Sequence, residues 1–415
     1  MLALYLRYSA VCKRAMMPLL RKGTLPLVLL RRAAAGDGLG MSRWVLCLLL
    51  FYALVRFDQQ GAPPAAAGQQ APSEKQPALS HRPAPSAGAS EGRIKLDVLV
   101  TDGAGQPVSG LQRQDFTLLD DKKRQSILSF REVNGVTGNG TAADPPVEVI
   151  LLIDMANNLL HNIAYERYQI DRFLKQNGGK LAQPVTVMVL SDQGVKTQPE
   201  PATDGNSVAD GLDRIETSIH TIPVTGGYDA IERVDLSLRA LRQIVAVEGQ
   251  KLGRKLLIWI GPGWPMLENP GYTTSDKVRR SRFNGIVELT EQLREARVTL
   301  YSINAVDPDS PAQLRSDYYK SFLKGVRSAN DADSGALSVP VFAVHSGGRV
   351  FHASGDLATL IGGCVQEAKV YYTLGFDPSA AEHVDEYHEL AVKIDKPGVA
   401  ARTDTGYYAE PALRP

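Results

Sequence analysis

Asp154 is a residue whose position suggests chemistry, because it directly follows residues 147–153, which are apolar except for Glu148. A carboxylate at the end of a buried strand can cap the next helix, bond nearby loop amides or ligate a hard cation. Together with His161 it could also serve a hydrolase, provided that the two side chains lie within hydrogen-bonding reach. These alternatives require different neighbours around the carboxylate.

Other signatures of an enzyme are weak. The histidines show no H-x-x-x-H spacing, and the Gly-Pro-Gly segment 261–263 lacks the Lys and Ser or Thr of a phosphate-binding loop. The Ser-Gly-Gly turn 346–348 lies between two strand-like runs and opens no helix, so it does not suit phosphate either. We therefore expect a protein that is not an enzyme.

The elements that must position Asp154 follow an alternating order. Apolar strand-like runs alternate with segments of helical periodicity from about residue 146, which predicts a doubly wound α/β domain with a mainly parallel sheet over residues 146–376. The predicted strands are 147–153, 185–190, 256–260, 298–303, 341–344, 349–352 and 370–374. The polar, Asp-containing residues 307–336 are interpreted as a surface excursion.

The flanking segments have the alternation of half-buried strands. Residues 93–133 and 385–410 are each too short to bury a core alone. We expect them to pair into one small β-sandwich, with the α/β domain inserted between its halves. Cys364 falls on the apolar face of a predicted helix, which favours a buried, inert thiol, and only three cysteines in the chain exclude a disulfide framework.

The order of these segments resembles the von Willebrand factor type A domain, and more narrowly the bacterial VWFA-related family of exported proteins. The resemblance spans about residues 93–410. It is carried by VLVTDGAGQPVSGLQRQDFTLLDD (98–121), EVILLIDMANN (148–158), TGGYDAI (225–231), KLLIWIGPGWP (255–265), YYTLGFDP (371–378), and YHELAVKI with GYYAE near the C-terminus.

The resemblance implies a divalent-cation site at the carboxyl ends of the strands. Asp154 matches the first carboxylate of the family's D-x-S-x-S pattern, and Thr225 matches its loop threonine. Ala156 and Asn158 stand where hydroxyl ligands are expected, and Pro262 stands where a second Asp would be. A hard cation prefers several anionic oxygens. We therefore predict that the chain has no cofactor and that its Mg²⁺ site is degenerate. If a metal were bound, its ligands would be Asp154, Asn158 and Thr225.

The N-terminal region indicates export. Residues 1–56 form an extension with a signal or anchor segment, in which Met41 starts a basic and then apolar stretch and residues 44–55 are too short to span a bilayer comfortably. We interpret Met41 as the true start. Residues 57–92 are a linker rich in Pro, Ala and Gln. A periplasmic or secreted protein is predicted, with membrane anchoring by residues 44–55 left open.

The charge distribution narrows the class of partner. Residues 1–56 carry nine Lys and Arg against one Asp, so the rest of the chain, with 37 basic and 44 acidic residues, is acidic. Nucleic acid is therefore a poor partner. We expect a protein or surface ligand at the loops after the strands, bound by six residues: Asp154, Asn157, Asn158, Thr225, Tyr228 and Trp264. Trp264 suits either an exposed anchor or a lid over the sheet end. The alternatives are the Asp154 and His161 hydrolase and a purely structural envelope protein.

Overall fold

The computed structural model describes residues 93–139, 144–216, 227–265, 274–305, 317–353 and 355–411. The predicted signal segment, the linker and Thr225 lie outside these residues. None of the helices among the described residues combines the length and the apolar character needed to cross a membrane.

Fifteen strands are seen in the described residues. In chain order they are β1 (Ile94–Asp102), β2 (Phe116–Asp120), β3 (Lys123–Gln125), β4 (Ser129–Asn134), β5 (Glu148–Asp154), β6 (Lys180–Ser191), β7 (Gly194–Thr197), β8 (Ala202–Asp204), β9 (Lys255–Ile260), β10 (Val298–Ala305), β11 (Val350–Ala353), β12 (Val370–Phe376), β13 (Glu386–Ile394), β14 (Val399–Arg402) and β15 (Gly406–Ala409). The α-helices described are α1 (Leu160–Lys175), α2 (Gly205–Glu216), α3 (Gly227–Gly249), α4 (Asp276–Glu295), α5 (Val339–His345) and α6 (Leu357–Glu367).

The fold is mixed α/β, with a mostly parallel seven-stranded sheet. Its order is β11-β10-β9-β5-β6-β7, and β8 also pairs with β6. The pairs among β11, β10, β9, β5 and β6 are parallel, whereas β7 and β8 run antiparallel to β6. β5 and β9 are central and apolar on both faces, as strands covered by helices on both sides must be.

Two separate cores cover the faces of this sheet. One contains side chains of α1, α2 and α6, and the other contains side chains of α3, α4 and α5. Alternate residues of β9 divide between them: Leu256 and Ile258 face the first core, and Leu257 and Trp259 face the second. Cys364 is fully buried on α6.

Two antiparallel four-stranded sheets share a third core. Their orders are β14-β1-β12-β4 and β15-β13-β2-β3. Strands of the N-terminal segment pair with strands of the C-terminal one, β1 with β14 and β2 with β13. The predicted strand at residues 399–408 is two strands, one in each sheet.

The sequence prediction placed β12 at the end of the α/β domain, and this boundary was wrong. β12 pairs antiparallel with β1 and β4, so the last element of the α/β part is α6. Tyr371 packs in the α/β core, while Tyr372 and Leu374 pack between the antiparallel sheets. A strand apolar on both faces has the same pattern in either position, and the pattern does not reveal its partner strand.

Two further predictions need correction. Residues 341–344 are helical, within α5; Pro340 in the first turn suits a helix start, and a short apolar run does not distinguish a buried helix from a strand. Residues 307–336, which were predicted to be a surface excursion, are also partly buried where the structure describes them. Val326, Ala332 and Ala336 are buried against α4 and against Tyr387 and Tyr408 of β13 and β15.

Arg297, directly after α4, joins the α/β part to the antiparallel sheets. Its guanidinium donates to both carboxylate oxygens of Asp97 on β1, at 2.7 and 2.8 Å. It also lies 3.5 Å from the fully buried carboxylate of Asp144. Burial disfavours the charged form of Asp97, but Arg297, with smaller contributions from Arg254 and Lys95, holds the Asp97 pKa below its usual value.

Candidate functional site

The candidate site lies at the carboxyl ends of β5 and β9. The chain proceeds from β5 to β6 on one side and later returns to β9 on the other, so the direction of winding changes between these two strands. Ligands of open α/β sheets bind in the crevice at such a point. Asp154 ends β5, and Gly261 follows β9.

Asp154 is completely buried and surrounded by donors. Oδ1 accepts from the backbone N–H of Asn157 at 3.1 Å and from Asn157 Nδ2 at 2.9 Å. Oδ2 accepts from Asn157 Nδ2 at 3.0 Å and from Trp259 Nε1 at 3.0 Å. Burial raises the Asp154 pKa to about 6, although the bonds from Asn157 and Trp259 favour the charged form.

These neighbours do not fit a divalent cation. Both oxygens of Asp154 already face N–H donors, and a donor directed at a carboxylate stands where a cation would otherwise coordinate. Asn158 is directed elsewhere, because its Nδ2 donates to Glu166 at 2.8 Å and its Oδ1 accepts from the Leu159 backbone. The arrangement is that of a carboxylate that orders its own loop.

Gly261 lets the loop after β9 approach Asp154. Its φ of +132° lies in a region that L side chains rarely adopt, and an added Cβ would lie 2.8 Å from the Asp154 Cβ. From the sequence, the Gly-Pro-Gly segment was interpreted only through missing residues, those of a phosphate-binding loop and a second metal-binding Asp. Its first glycine is required by close contact with the β5 end.

Trp264 is a lid and not an exposed anchor. Only 8% of the residue is exposed, its Nε1 donates to the Leu337 carbonyl at 2.8 Å, and its ring packs edge-on against Trp259 with centroids 5.7 Å apart. It belongs to the core formed by α3, α4 and α5. The interpretation of Trp264 as an anchor in contact with a partner is therefore wrong.

Glu166 forms a second buried carboxyl group behind the loop. It lies on α1, accepts from Asn158, and its Oε1 has no hydrogen-bond partner among the described residues. Burial raises the Glu166 pKa to about 8, and the nearby Asp154 charge adds to this shift. At neutral pH the carboxyl group of Glu166 is therefore mostly protonated.

The remaining predicted site residues are not brought together. His161 is exposed on α1, and the hydrogen bonds described for Asp154 do not include it. Tyr228 lies in the first turn of α3, but its side chain is outside the described part of the structure, as is Thr225. Asn157 is half-buried and directed inward, with Nδ2 donating to Asp154 and to Ser237 Oγ.

Sequence reasoning missed the residues that complete the site. Trp259 lies within an apolar strand run and Glu166 within an amphipathic helix, and neither position differs in pattern from an ordinary core or surface residue. One signal was available for Glu166. It falls three residues after Ile163 and four before Ile170, on the buried stripe of the helix.

Exposed apolar side chains lie next to this buried network. Leu159 and Leu160, at the start of α1, are 52% and 69% exposed. Tyr168, two turns further along the same face as Leu160, is also exposed. In the described part of this edge, α1 therefore offers a partner apolar side chains.

Comparisons with known proteins identify no family. No protein-family model matches the chain, and no curated protein is similar in sequence. Among solved structures, the human COPII-coat protein Sec24c is similar with a TM-score of 0.32 and 10% sequence identity, over 68% of this chain and 46% of that protein. The chain thus spans less than half of the length of Sec24c.

Proposed function

We propose that the protein is an exported, non-enzymatic binding protein of the cell envelope, with a domain of the von Willebrand factor type A kind whose metal site is degenerate. The order of the seven-stranded sheet supports the domain type. Numbered along the chain without β8, the strands read 3-2-1-4-5-6, the order of doubly wound nucleotide-binding folds, with an antiparallel third strand.

The observation that carries the binding role is the exposure of Leu159 and Leu160 beside the buried polar network around Asp154. Both oxygens of Asp154 accept hydrogen bonds within the network, and its two polar atoms without a partner among the described residues, Asn157 Oδ1 and Glu166 Oε1, are buried. The network therefore presents little polar surface to a substrate or ion. Two adjacent leucines in solvent have no role in the core and suit contact with a protein partner. The partner is proposed to bind this pair directly, while Asp154 and Asn157 act indirectly by shaping the loop.

Site-specific photocrosslinking tests the binding role. A benzoyl-phenylalanine at position 160 is expected to give a discrete crosslinked protein in the exporting cell. Position 252 is the matched control, because Leu252 is 66% exposed and precedes β9 at the opposite edge of the sheet. Equal products at both positions, or none at position 160, would contradict the proposal and favour a purely structural envelope protein.

Export is tested separately. A fusion of residues 41–92 to a reporter that is active only outside the cytoplasm should be active, because the basic and apolar start resembles a secretion signal. A fusion of residues 57–92, which lacks that segment, is the control and should be inactive. Retention of the first fusion in the cytoplasm would contradict export.

The hydrolase alternative gains no support from the described contacts. It requires Asp154 and His161 to share a hydrogen bond, whereas the four bonds described for Asp154 come from Asn157 and Trp259. No second function is therefore proposed.

A further inference from the structure

A second polar cluster lies in the antiparallel sheets and not in the sheet that carries the Asp154 loop. It comprises Asp120 at the end of β2, Asp121 in the turn to β3, and His388 on β13. One ligand atom from each of the three residues lies within 4.8 Å of the other two. Among the described residues, this is the group of His, Cys, Asp or Glu side chains that lie close enough to share a metal ion. The register of β2 and β13, with Asp120 opposite Leu390, brings them together.

His388 is buried at the centre of the cluster. It is 4% exposed, and its ring stacks on Tyr407 with centroids 5.0 Å apart. Nδ1 lies 3.0 Å from Asp120 Oδ1 and 3.8 Å from Asp121 Oδ2. Both carboxylates therefore face the same ring nitrogen.

Asp120 is held in place through its other oxygen. Oδ2 accepts from Ser379 Oγ at 2.6 Å, from Tyr407 OH at 2.9 Å and from the Ser379 backbone N–H at 3.3 Å. These bonds fix the carboxylate while Oδ1 faces His388. Hydrogen bonds that orient a ligating carboxylate are characteristic of metal sites.

Asp121 is oriented in the same way and gives access to solvent. Its Oδ1 accepts from the Glu389 backbone N–H at 3.1 Å and lies 3.5 Å from Arg327, which leaves Oδ2 towards the imidazole. One third of its side chain is exposed, at 33%. An ion could therefore reach the cluster from this side.

The other ring nitrogen of His388 supplies the independent observation. Nε2 is buried and has no hydrogen-bond partner in the described part of the chain, yet it lies 3.9 Å from Glu386 Oε1. If Nδ1 alone carried the proton and donated it to Asp120, the buried Nε2 lone pair would face a carboxylate, whereas an imidazolium would donate towards carboxylates from both nitrogens. If Nδ1 binds a metal, Nε2 carries the proton, and Glu386 Oε1, now 3.9 Å away and beyond hydrogen-bonding distance, would accept it after a small approach, as carboxylates beside ligating histidines commonly do.

We propose that Asp120, Asp121 and His388 Nδ1 bind a divalent transition-metal ion of the Zn²⁺ class, with Glu386 orienting the imidazole. An imidazole nitrogen with two carboxylate oxygens suits Zn²⁺ better than Mg²⁺ or Ca²⁺, which prefer oxygen alone. Ligands about 2.0–2.1 Å from a tetrahedral zinc lie about 3.3 Å from each other. The 3.0 and 3.8 Å separations at His388 bracket that value.

Titration of ZnCl₂ into the full-length, EDTA-treated and dialysed protein tests the site. Calorimetry is expected to show one Zn²⁺ per chain, with an affinity at least about tenfold weaker in Asp121→Asn, since ligands and their supporting groups carry effects of this size. Glu389→Gln is the matched control. It removes one carboxylate on the same strand, beside His388, but Glu389 is exposed and points to the opposite face.

X-ray absorption spectroscopy at the zinc edge identifies the atoms bound to the ion, and this second measurement needs no variant. The zinc-loaded wild type should show only nitrogen and oxygen neighbours, with the scattering pattern of one imidazole. Sulfur neighbours would instead locate the ion at a cysteine. Absence of binding, unchanged affinity in Asp121→Asn or a sulfur-containing shell would each overturn the proposal. If Asp121→Asn does not fold, the wild-type zinc shell decides.

Discussion

The indole N–H of Trp259 donates to Oδ2 of Asp154 across 3.0 Å, joining the ends of the two central strands. The register explains this contact. Trp259 pairs with Leu152, which lies one side-chain repeat before Asp154 on the same face of β5. The large ring can therefore reach the carboxylate at the strand end, where a small residue could not.

Replacing Trp259 by Phe should cost more stability than replacing Trp264 by Phe. The first change removes a bond to a charged acceptor, for which about 1.5–3 kcal/mol is typical, and the second removes a bond to a neutral carbonyl, about 0.5–1.5 kcal/mol. The two changes remove the same ring atoms. Urea unfolding at pH 7 and pH 5 measures the difference, which should narrow at pH 5 because the Asp154 pKa is about 6. Equal losses at pH 7 would contradict this role of Asp154.

Gly261→Ala should destabilise the protein by about 1–3 kcal/mol, the usual range for a side chain forced into such a backbone conformation. The new methyl group would also press on Asp154. Gly103→Ala is the control, because no atom lies within 4 Å of its Cβ position. Thermal unfolding of both variants measures the effect. A Gly261→Ala protein as stable as the wild type would show that the loop is not constrained at this residue.

Glu166 should make stability fall as pH rises. Burial raises its folded pKa to about 8 from 4.5, so between these values the unfolded chain has lost a proton that the folded chain keeps. Stability then falls with pH by at most about 1.4 kcal/mol per unit, and the loss is complete above the folded pKa. Glu166→Gln should flatten this dependence between pH 6 and pH 8.

Urea unfolding at pH 6, 7 and 8 measures this dependence. Glutamine keeps an oxygen for the Asn158 amide, so the variant should also be the more stable protein at pH 8. Glu288→Gln, at a half-exposed position on α4, is the control and should leave the slope unchanged. Identical slopes for Glu166→Gln and the wild type would rule out a protonated Glu166 in the folded state.

Arg297→Met should destabilise the protein by about 3–5 kcal/mol, the range for removing one partner of a buried ion pair. The change leaves the buried Asp97 carboxylate without its main cationic partner. Arg242→Met removes an arginine whose pair with Glu288 is exposed, and it should cost no more than about 1 kcal/mol. Chemical unfolding compares the two. Similar small losses would mean that solvent or nearby cations replace Arg297.

Any effect of Mg²⁺ on the melting temperature should be independent of Asp154. Both oxygens of this carboxylate accept internal hydrogen bonds, so any shift of the melting temperature with millimolar MgCl₂ should be the same in the wild type and in Asp154→Asn. Melting curves with and without MgCl₂ measure this. A shift that is present in the wild type and lost in the variant would restore Asp154 as a ligand.

The sequence by itself determined most strands of the parallel sheet and the position of the Asp154 loop, although it mistook the helix at residues 341–344 for a strand. Apolar runs such as that of β5 are readable because a strand covered on both faces needs apolar residues throughout, and an aspartate that ends such a run must lie at the sheet edge. Measured against the family pattern that the sequence resembles, Ala156 and Pro262 predict a degenerate cation site, and this stays a prediction. These inferences need only the residues close to each other along the chain.

Only the tertiary structure decided which strand pairs with which and what each polar side chain contacts. β12 joins β1 and β4 because long-range pairing depends on the whole core, and its apolar pattern fits either sheet. Trp259 reaches Asp154 from 105 residues away, and Asp120 meets His388 across 268. Contacts of this kind depend on strand register and burial, neither of which is encoded by neighbouring residues.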